Sequence, residues 1–233
     1  MSADVRGESR VRWLDRLLAL VGLVAAAPLL VAAAAGIKIS DSGPILHRAA
    51  RVGRGGRQFV MFKLRTMRVD QSNSSSGRIT GRADHRVFAW GRLLRRFKVD
   101  ELPQLVNVVR GDMAIVGPRP EDPSIVEGDY APWMLETLTV PPGLTSPGSL
   151  DYYAAEAGLP DDSVTAEEVY VRELLARKLA ADLVYVRNRS GWYDLQLVLR
   201  TVASLVGWHT AFRSSQAGER MKAERILREE ARR

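Results

Sequence analysis

Cysteine is absent from all 233 residues, which excludes disulfides, thiolate catalysis and sulfur-ligated metals. Histidine is nearly absent: His47, His85 and His209 are the only three, and no two are spaced as zinc ligands. Any metal this composition invites is therefore a hard cation on oxygen ligands. Aromatics make up only 7% of the chain and are not interleaved with the basic residues, so no base-stacking platform or recognisable reading helix for nucleic acid is present. Acid is the scarcer charge. With 27 Asp and Glu against 34 Lys and Arg, the net charge is +7 and the pI about 10. That excess suits an anionic partner such as phospholipid head groups or a phosphorylated substrate, without choosing among them.

Charge is missing altogether from Leu17 to Ile37, a run long enough to cross a bilayer as a helix. Its flanks are cationic on both sides, with Arg6, Arg10, Arg12 and Arg16 before it and Lys38, Arg48, Arg51, Arg54 and Arg57 after it. A spanning helix normally carries its positive excess on one side only, so both ends are expected to face the same, cytoplasmic, compartment. Pro28 lies mid-run, where it removes a helix hydrogen bond and can bend the chain back toward the surface it left. The segment therefore reads as a re-entrant helical hairpin, with a single-pass anchor as the alternative. It does not read as a cleaved signal peptide, because the apolar run is long and its continuation is basic.

Beyond this run the polar residues concentrate in a few places. Gln58 to Leu64 has the pattern of a short strand, on which Lys63 and Arg65, two apart, are expected to share a face suited to a diphosphate. Gln71 to Gly77 is a polar loop. Val87 to Lys98 reads as a basic amphipathic helix, apolar at Phe88, Leu93, Leu94 and Phe97; its Arg92, Arg95, Arg96 and Lys98 suit either lipid head groups or substrate phosphate. Asp100 to Pro120, DELPQLVNVVRGDMAIVGPRP, then sets two adjacent carboxylates a short helix away from a Gly-Pro-Arg-Pro turn. Asp100 is expected to cap that helix, with Pro103 in its first turn, an apolar face at Leu102, Leu105, Val106 and Val109, and Asn107, Arg110 and Asp112 on the polar side. The positive end of such a helix can hold phosphate and a divalent cation, so Asp100 and Glu101 read as a phosphate-chemistry site. Pro118 and Pro120 restrict the backbone around Arg119 and make it a pre-organised donor for a nucleotide. Val164 to Asn188 reads as a helix with polar faces. Trp192 to Trp208 reads as a tryptophan-bearing amphipathic stretch suited to a bilayer interface.

These segments, from RSRVRWLDRLLALVGLVAAAPLL through GRGGRQFVMFKLRTM and DELPQLVNVVRGDMAIVGPRP to VPPGLT and LVYVRNRSGWYDLQLVLRT, resemble in content and order the bacterial sugar transferase family, the small monotopic phosphoglycosyl transferases. The resemblance runs from about Arg12 to about Val202 and implies transfer of a phosphosugar from a UDP-sugar to undecaprenyl phosphate, with release of UMP. It implies Asp100 as the nucleophile of a covalent phosphosugar intermediate and Asp100 with Glu101 as ligands of Mg²⁺, or of Mn²⁺ in its place. It implies Lys63, Arg65 and Arg95 as phosphate clamps, the Pro118–Arg119–Pro120–Glu121 turn as part of the nucleotide site, and Asp182, like Arg187, as a polar position shared with relatives. The implied location is the cytoplasmic face of the bacterial inner membrane, on anionic phospholipid, with no nucleic acid and with room for a homodimer. Two departures stand out. Ala27 precedes Pro28 where family members commonly carry Ser, and Ser146-Pro-Gly-Ser-Leu-Asp-Tyr-Tyr replaces the usual segment after PGLT, which bears on sugar preference.

The expected architecture is α+β and helix-rich: a re-entrant membrane hairpin over 1–40, a cytosolic and interfacial catalytic domain with a small β element over 41–212, and a charged tail over 213–233. A scaffold that has kept this fold without its chemistry and a membrane-anchored nucleic-acid-binding protein are the alternatives; the intact DELPQL and GPRP segments speak against the first, the lack of interleaved stacking aromatics against the second.

Overall fold

The computed structural model describes residues 2–68, 84–156, 159–205 and 213–232, so the polar stretch Gln71–Gly77 and residues 206–208, the end of the Trp192–Trp208 stretch, lie outside the described residues. Two compact units emerge. One comprises Met1–Arg51, Phe59–Asn73 and His85–Ile115, the other Val52–Gln58, Ser74–Asp84 and Val116–Arg233.

The first unit is built on α1 (Ser2–Ser40), of which Trp13–Ser40 is the one stretch among the described residues long and apolar enough to cross a membrane. Helical backbone continues through Pro28, so no loop divides the run into the two arms expected of a hairpin. Leu17, Val21, Val24 and Val31 recur at heptad-like spacing and lie exposed along one face. The opposite face packs at two separate places. Near its start Asp15 accepts the Ile115 N–H at 3.5 Å and Ala19 is buried; near its end Ala33 and Ile37 join Leu64, Phe88 and Leu94 in a buried core. Gly36 is required there, because a Cβ would lie 2.3 Å from the Trp90 indole nitrogen, which donates to the Ala33 carbonyl at 3.2 Å.

After α1 come a β-hairpin, β1 (Leu46–Val52) and β2 (Gln58–Leu64), then α2 (Ala89–Arg96), a tight 3₁₀ turn over Val99–Glu101, α3 (Gln104–Arg110) and β3 (Ala114–Val116). The basic amphipathic helix is present over a shorter range than expected and shows two apolar sides. Phe88 and Leu94 enter the core, whereas Leu93 and Phe97 stay exposed. The buried face of α3 also differs from expectation: Gln104, Asn107 and Val108 are its buried residues, while Leu105 sits only partly buried beside Gly22 of α1. Asn107 is drawn inward because its amide bridges to the strand, accepting the Phe62 N–H at 3.1 Å and donating to the Val60 carbonyl at 2.7 Å. An apolar side chain there would leave those strand groups unsatisfied.

The second unit is mostly helical, with the short strand β4 (Gly143–Thr145) whose Thr145 carbonyl accepts the Gly117 N–H at 2.9 Å. Its helices are α4 (Pro123–Asp129), α5 (Pro147–Glu156), α6 (Ser163–Val169), α7 (Leu175–Asn188), α8 (Gly191–Leu205) and α9 (Arg213–Glu230), with a wide π turn over Tyr170–Leu174. Asp122 and Asp162 cap α4 and α6 by accepting the Ser124 and Thr165 N–H groups. α7 is the central helix. Leu175 and Leu179 pack with Ile125, Met134 and Tyr170, and on its other side Ala180, Leu183 and Val184 pack with Ala223 and Ile226 of α9. The charged C-terminal segment is thus a docked helix whose apolar stripe completes the core.

Candidate active site

In the first unit the carboxylate pair is presented by a turn, not by a helix cap. Lys98 adopts left-handed φ and ψ of 54° and 21°, and Pro103, not Asp100, stands at the start of α3. The reason lies in Pro103: it has no N–H to offer the Val99 carbonyl, which instead accepts from Leu102 at 3.2 Å and tightens the preceding turn. Lys63 Nζ donates to Glu101 Oε1 at 3.0 Å, with both side chains partly exposed. Asp100 is buried, and its Oδ1 has no hydrogen-bond partner. Burial, then the neighbouring Glu101, pushes its carboxyl above the usual range, against the pull of Lys63, Arg95 and Lys98.

Arg95 reaches Thr66 Oγ1 at 2.9 Å. The Arg65 N–H bonds the Ile45 carbonyl at 2.8 Å, a register that places His47 opposite Lys63 across the hairpin. Burial first, and then Lys63, Arg51 and Arg95, lowers the His47 pKa and favours the neutral ring. The first unit thus gathers Lys63, Arg95 and Lys98 around Asp100, with His47 beside Lys63. Arg65 is not with them: β2 ends at Leu64, and the Arg65 guanidinium turns to the Asp41 carboxylate and the carbonyls of Asp41 and Pro44, closing the connection after α1. His47 and Asn107 were not legible as site residues, because strand register and an inward-facing helical amide leave no local pattern.

Among the described residues no group of three or more acidic or histidine side chains gathers at one place. The dyad nevertheless fits a magnesium ion, which uses one or two carboxylates and takes its remaining oxygens from water and substrate phosphate. The orphaned Asp100 oxygen is the kind of donor such an ion requires.

In the second unit the Gly117–Pro118 backbone is tied to β4, with the Gly117 N–H on the Thr145 carbonyl and the Gly143 N–H on the Pro118 carbonyl, both at 2.9 Å. Pro118 and Pro120 are buried and Arg119 stands between them, its Nη1 donating to the Tyr153 hydroxyl at 2.8 Å. Glu121 is buried behind this turn and accepts from both the Tyr170 hydroxyl and Lys178 Nζ, which are themselves 3.0 Å apart. Asp182 is fully buried on α7 and takes the Gly148 N–H on Oδ1 at 2.9 Å. Glu121 and Asp182 therefore stand under the Arg119 turn and α5 as supports, while Arg119 keeps partial access to solvent. Arg187 points elsewhere, to Glu136 in an exposed pair.

Residues 8–207, most of the chain, match the bacterial sugar transferase family. The chain belongs to that family. It is 39% identical over 207 residues to the UDP-glucose:undecaprenyl-phosphate glucose-1-phosphate transferase of Caulobacter vibrioides, covering 87% of this chain and 72% of that protein. It is 33% identical over 200 residues to the protein of the same description from Xanthomonas campestris pv. campestris, covering 85% of this chain and 39% of the relative. A third relative, the UDP-N-acetylgalactosamine-undecaprenyl-phosphate N-acetylgalactosaminephosphotransferase of Aeromonas hydrophila, is 31% identical over 84% of this chain and 43% of its own length. The chain thus spans less than half the length of the last two.

Proposed function

We propose that this chain transfers a phosphosugar from a UDP-sugar to undecaprenyl phosphate, releasing UMP, as the first membrane step of assembling a glycan such as an exopolysaccharide. The observation that carries the reading is Asp100: a buried carboxylate with an orphaned oxygen, next to a second carboxylate and attended by Lys63, Arg95 and Lys98. A carboxylate oxygen of Asp100 attacks the sugar-bearing phosphorus, a new P–O bond forms, the bond to the uridine-bearing phosphate breaks, and UMP leaves with the electron pair. A phosphate oxygen of undecaprenyl phosphate then attacks the same phosphorus and returns Asp100 to its free state. Lys63 and Arg95 offset charge as carboxylate and diphosphate approach, and Lys63 also orients Glu101. Asp100 and Glu101 would hold a magnesium ion, which would supply Lewis-acid neutralisation of the diphosphate.

The reaction joins a water-soluble donor to a lipid and therefore belongs at the membrane surface. Support comes from α1, whose exposed apolar face lies between two stretches, around Asp15–Ala19 and around Ala33–Ile37, that both pack on the same charged unit. A helix crossing a bilayer would carry its ends to opposite sides, so we read α1 as re-entrant from the cytoplasmic face.

Incubation with UDP-glucose or UDP-N-acetylgalactosamine labelled in the sugar, without lipid acceptor, is expected to leave hydroxylamine-sensitive label on the protein and to release UMP, in a reaction stopped by EDTA. UMP release only when undecaprenyl phosphate is also present would replace the covalent route with direct attack by the lipid phosphate. Full turnover in excess EDTA would remove the metal from the scheme.

A further inference from the structure

Tyr153 lies in the Ser146–Tyr153 stretch that distinguishes this sequence, and its hydroxyl accepts from Arg119 Nη1 at 2.8 Å. The guanidinium carbon is 5.6 Å from the centre of the same ring. This contact is built from below. Gly148, near the start of α5, approaches α7 so closely that a Cβ would lie 2.4 Å from the Lys178 carbonyl oxygen, and its N–H is fixed on the buried Asp182. One residue before Tyr153, Tyr152 packs edge-on against Tyr170, with centroids 5.4 Å apart and planes at 85°, and Tyr170 in turn bonds the Glu121 carboxylate behind the Arg119 turn. Both sides of the Arg119–Tyr153 contact are thus anchored to the same buried cluster, and the Arg119 backbone is further restricted by its two prolines.

We propose that Tyr153 is a positioning residue for donor recognition: its hydroxyl holds the Arg119 guanidinium in the orientation that takes the phosphate of a uridine nucleotide. An arginine left to its own rotamers loses more freedom on binding than one already held, so removing the hydroxyl weakens donor binding without touching the transferring groups. The inference rests on the reading of Arg119 as a nucleotide ligand.

The test uses the full chain in detergent or nanodiscs, with UMP binding measured by calorimetry and turnover followed with UDP-glucose and UDP-N-acetylgalactosamine. Tyr153→Phe is expected to raise the UMP Kd and the donor KM about tenfold, the effect of one hydrogen bond to a charged group, with kcat within about twofold and an unchanged melting temperature. Tyr153→Leu, which also removes the ring, should give at least the same rise. Arg119→Lys should weaken UMP binding by itself, and Tyr153→Phe added to it should weaken it no further. Unchanged Kd and KM in both Tyr153 variants, or effects of the Tyr153 and Arg119 changes that multiply, would overturn the proposal. A wild-type chain that binds UMP while Arg119→Lys binds it equally well would overturn it by removing the Arg119 reading. A wild-type chain that neither binds UMP nor uses a UDP-sugar would instead remove the proposed function, and this inference with it.

Discussion

Asp100 and Asp182 are both buried acids pushed toward their protonated forms, yet their surroundings differ in a way that separates a reactive carboxylate from a supporting one. Around Asp100 burial is compounded by a second carboxylate, and three cations, Lys63, Arg95 and Lys98, pull the other way. Around Asp182 burial dominates, Glu121 adds a smaller push, and the group is raised to about 6; Lys178 is the one opposing cation, the Gly148 N–H bonds Oδ1, and Oδ2 has no partner. One environment can accept an anion and the charge that comes with it. The other has no exposed surface and a single nearby cation, Lys178, which is already paired with Glu121. A buried carboxylate crowded by a second one and drawn on by three cations is the signature of a site whose balance a ligand can complete.

The largest expected effect breaks the comparison on the reactive side. Asp100→Asn keeps the shape of a buried side chain while removing the nucleophile, so turnover should fall by about 10⁴-fold or more with UMP binding retained. The fold should persist with equal or higher stability, since a neutral amide replaces a carboxylate that burial and Glu101 disfavour. Turnover within about tenfold of wild type would transfer the nucleophile's role to another group.

The second effect lies in the supporting cluster. Lys178 and Glu121 form a buried ion pair, and replacing one member of such a pair costs about 3–5 kcal/mol because the other charge stays in the interior. Lys178→Met should lower unfolding stability by that order, measured by chemical denaturation in micelles, whereas Lys178→Met combined with Glu121→Leu should recover much of the loss. A double variant no more stable than the single one would make the pair a net source of stability and not a device that fixes the Arg119 turn.

How much of this was legible beforehand differs between the two regions. The dyad stood out because Asp100 and Glu101 are adjacent and open a long motif, and the apolar run needed only a count of uncharged residues. The supports under Arg119 stood out only in part: Glu121 and Asp182 came with the family resemblance, Tyr170 and Lys178 did not. Glu121, Tyr170, Lys178 and Asp182 converge from three segments of sequence, and only tertiary packing shows that a lysine of an apparently polar helix points inward. Arg65 failed for a local reason, since the strand ended one residue before it, and Asn107 failed because periodicity cannot tell an exposed amide from one that bridges to a strand. The charged C-terminal segment hid a sparse apolar stripe, Ala223, Ile226 and Leu227, hard to read without the α7 surface it covers.

A third measurement sharpens the supporting side through pH. Asp182 is raised from 3.8 to about 6, so between these values the folded chain holds a proton that the unfolded chain has lost. Its contribution to stability is therefore full at and below the ordinary carboxylate range and is lost as pH rises through about 6, by an amount on the order of 3 kcal/mol. Asp182→Asn keeps an oxygen for the Gly148 N–H and cannot ionise, so its advantage over wild type should grow from pH 4 to pH 7. Parallel stability curves for the two proteins would show that Asp182 does not titrate in that window.

The smallest effect comes from the other end of the same helix. Arg187 lies on α7 five residues beyond Asp182, and its guanidinium meets Glu136 through Nε at 2.9 Å and Nη2 at 2.5 Å, a bidentate geometry in an exposed setting. Water solvates both groups in the unfolded chain and largely continues to do so in the folded one, so an exposed pair of this kind contributes at most about 1 kcal/mol. Arg187→Gln should therefore shift the unfolding midpoint slightly, lose even that shift in high salt, and leave the donor KM and the UMP Kd at wild-type values. A raised donor KM without loss of stability would place Arg187 in the path of the nucleotide, and the division between a closed, supporting α7 and an open, reactive Asp100 turn would then have to be redrawn.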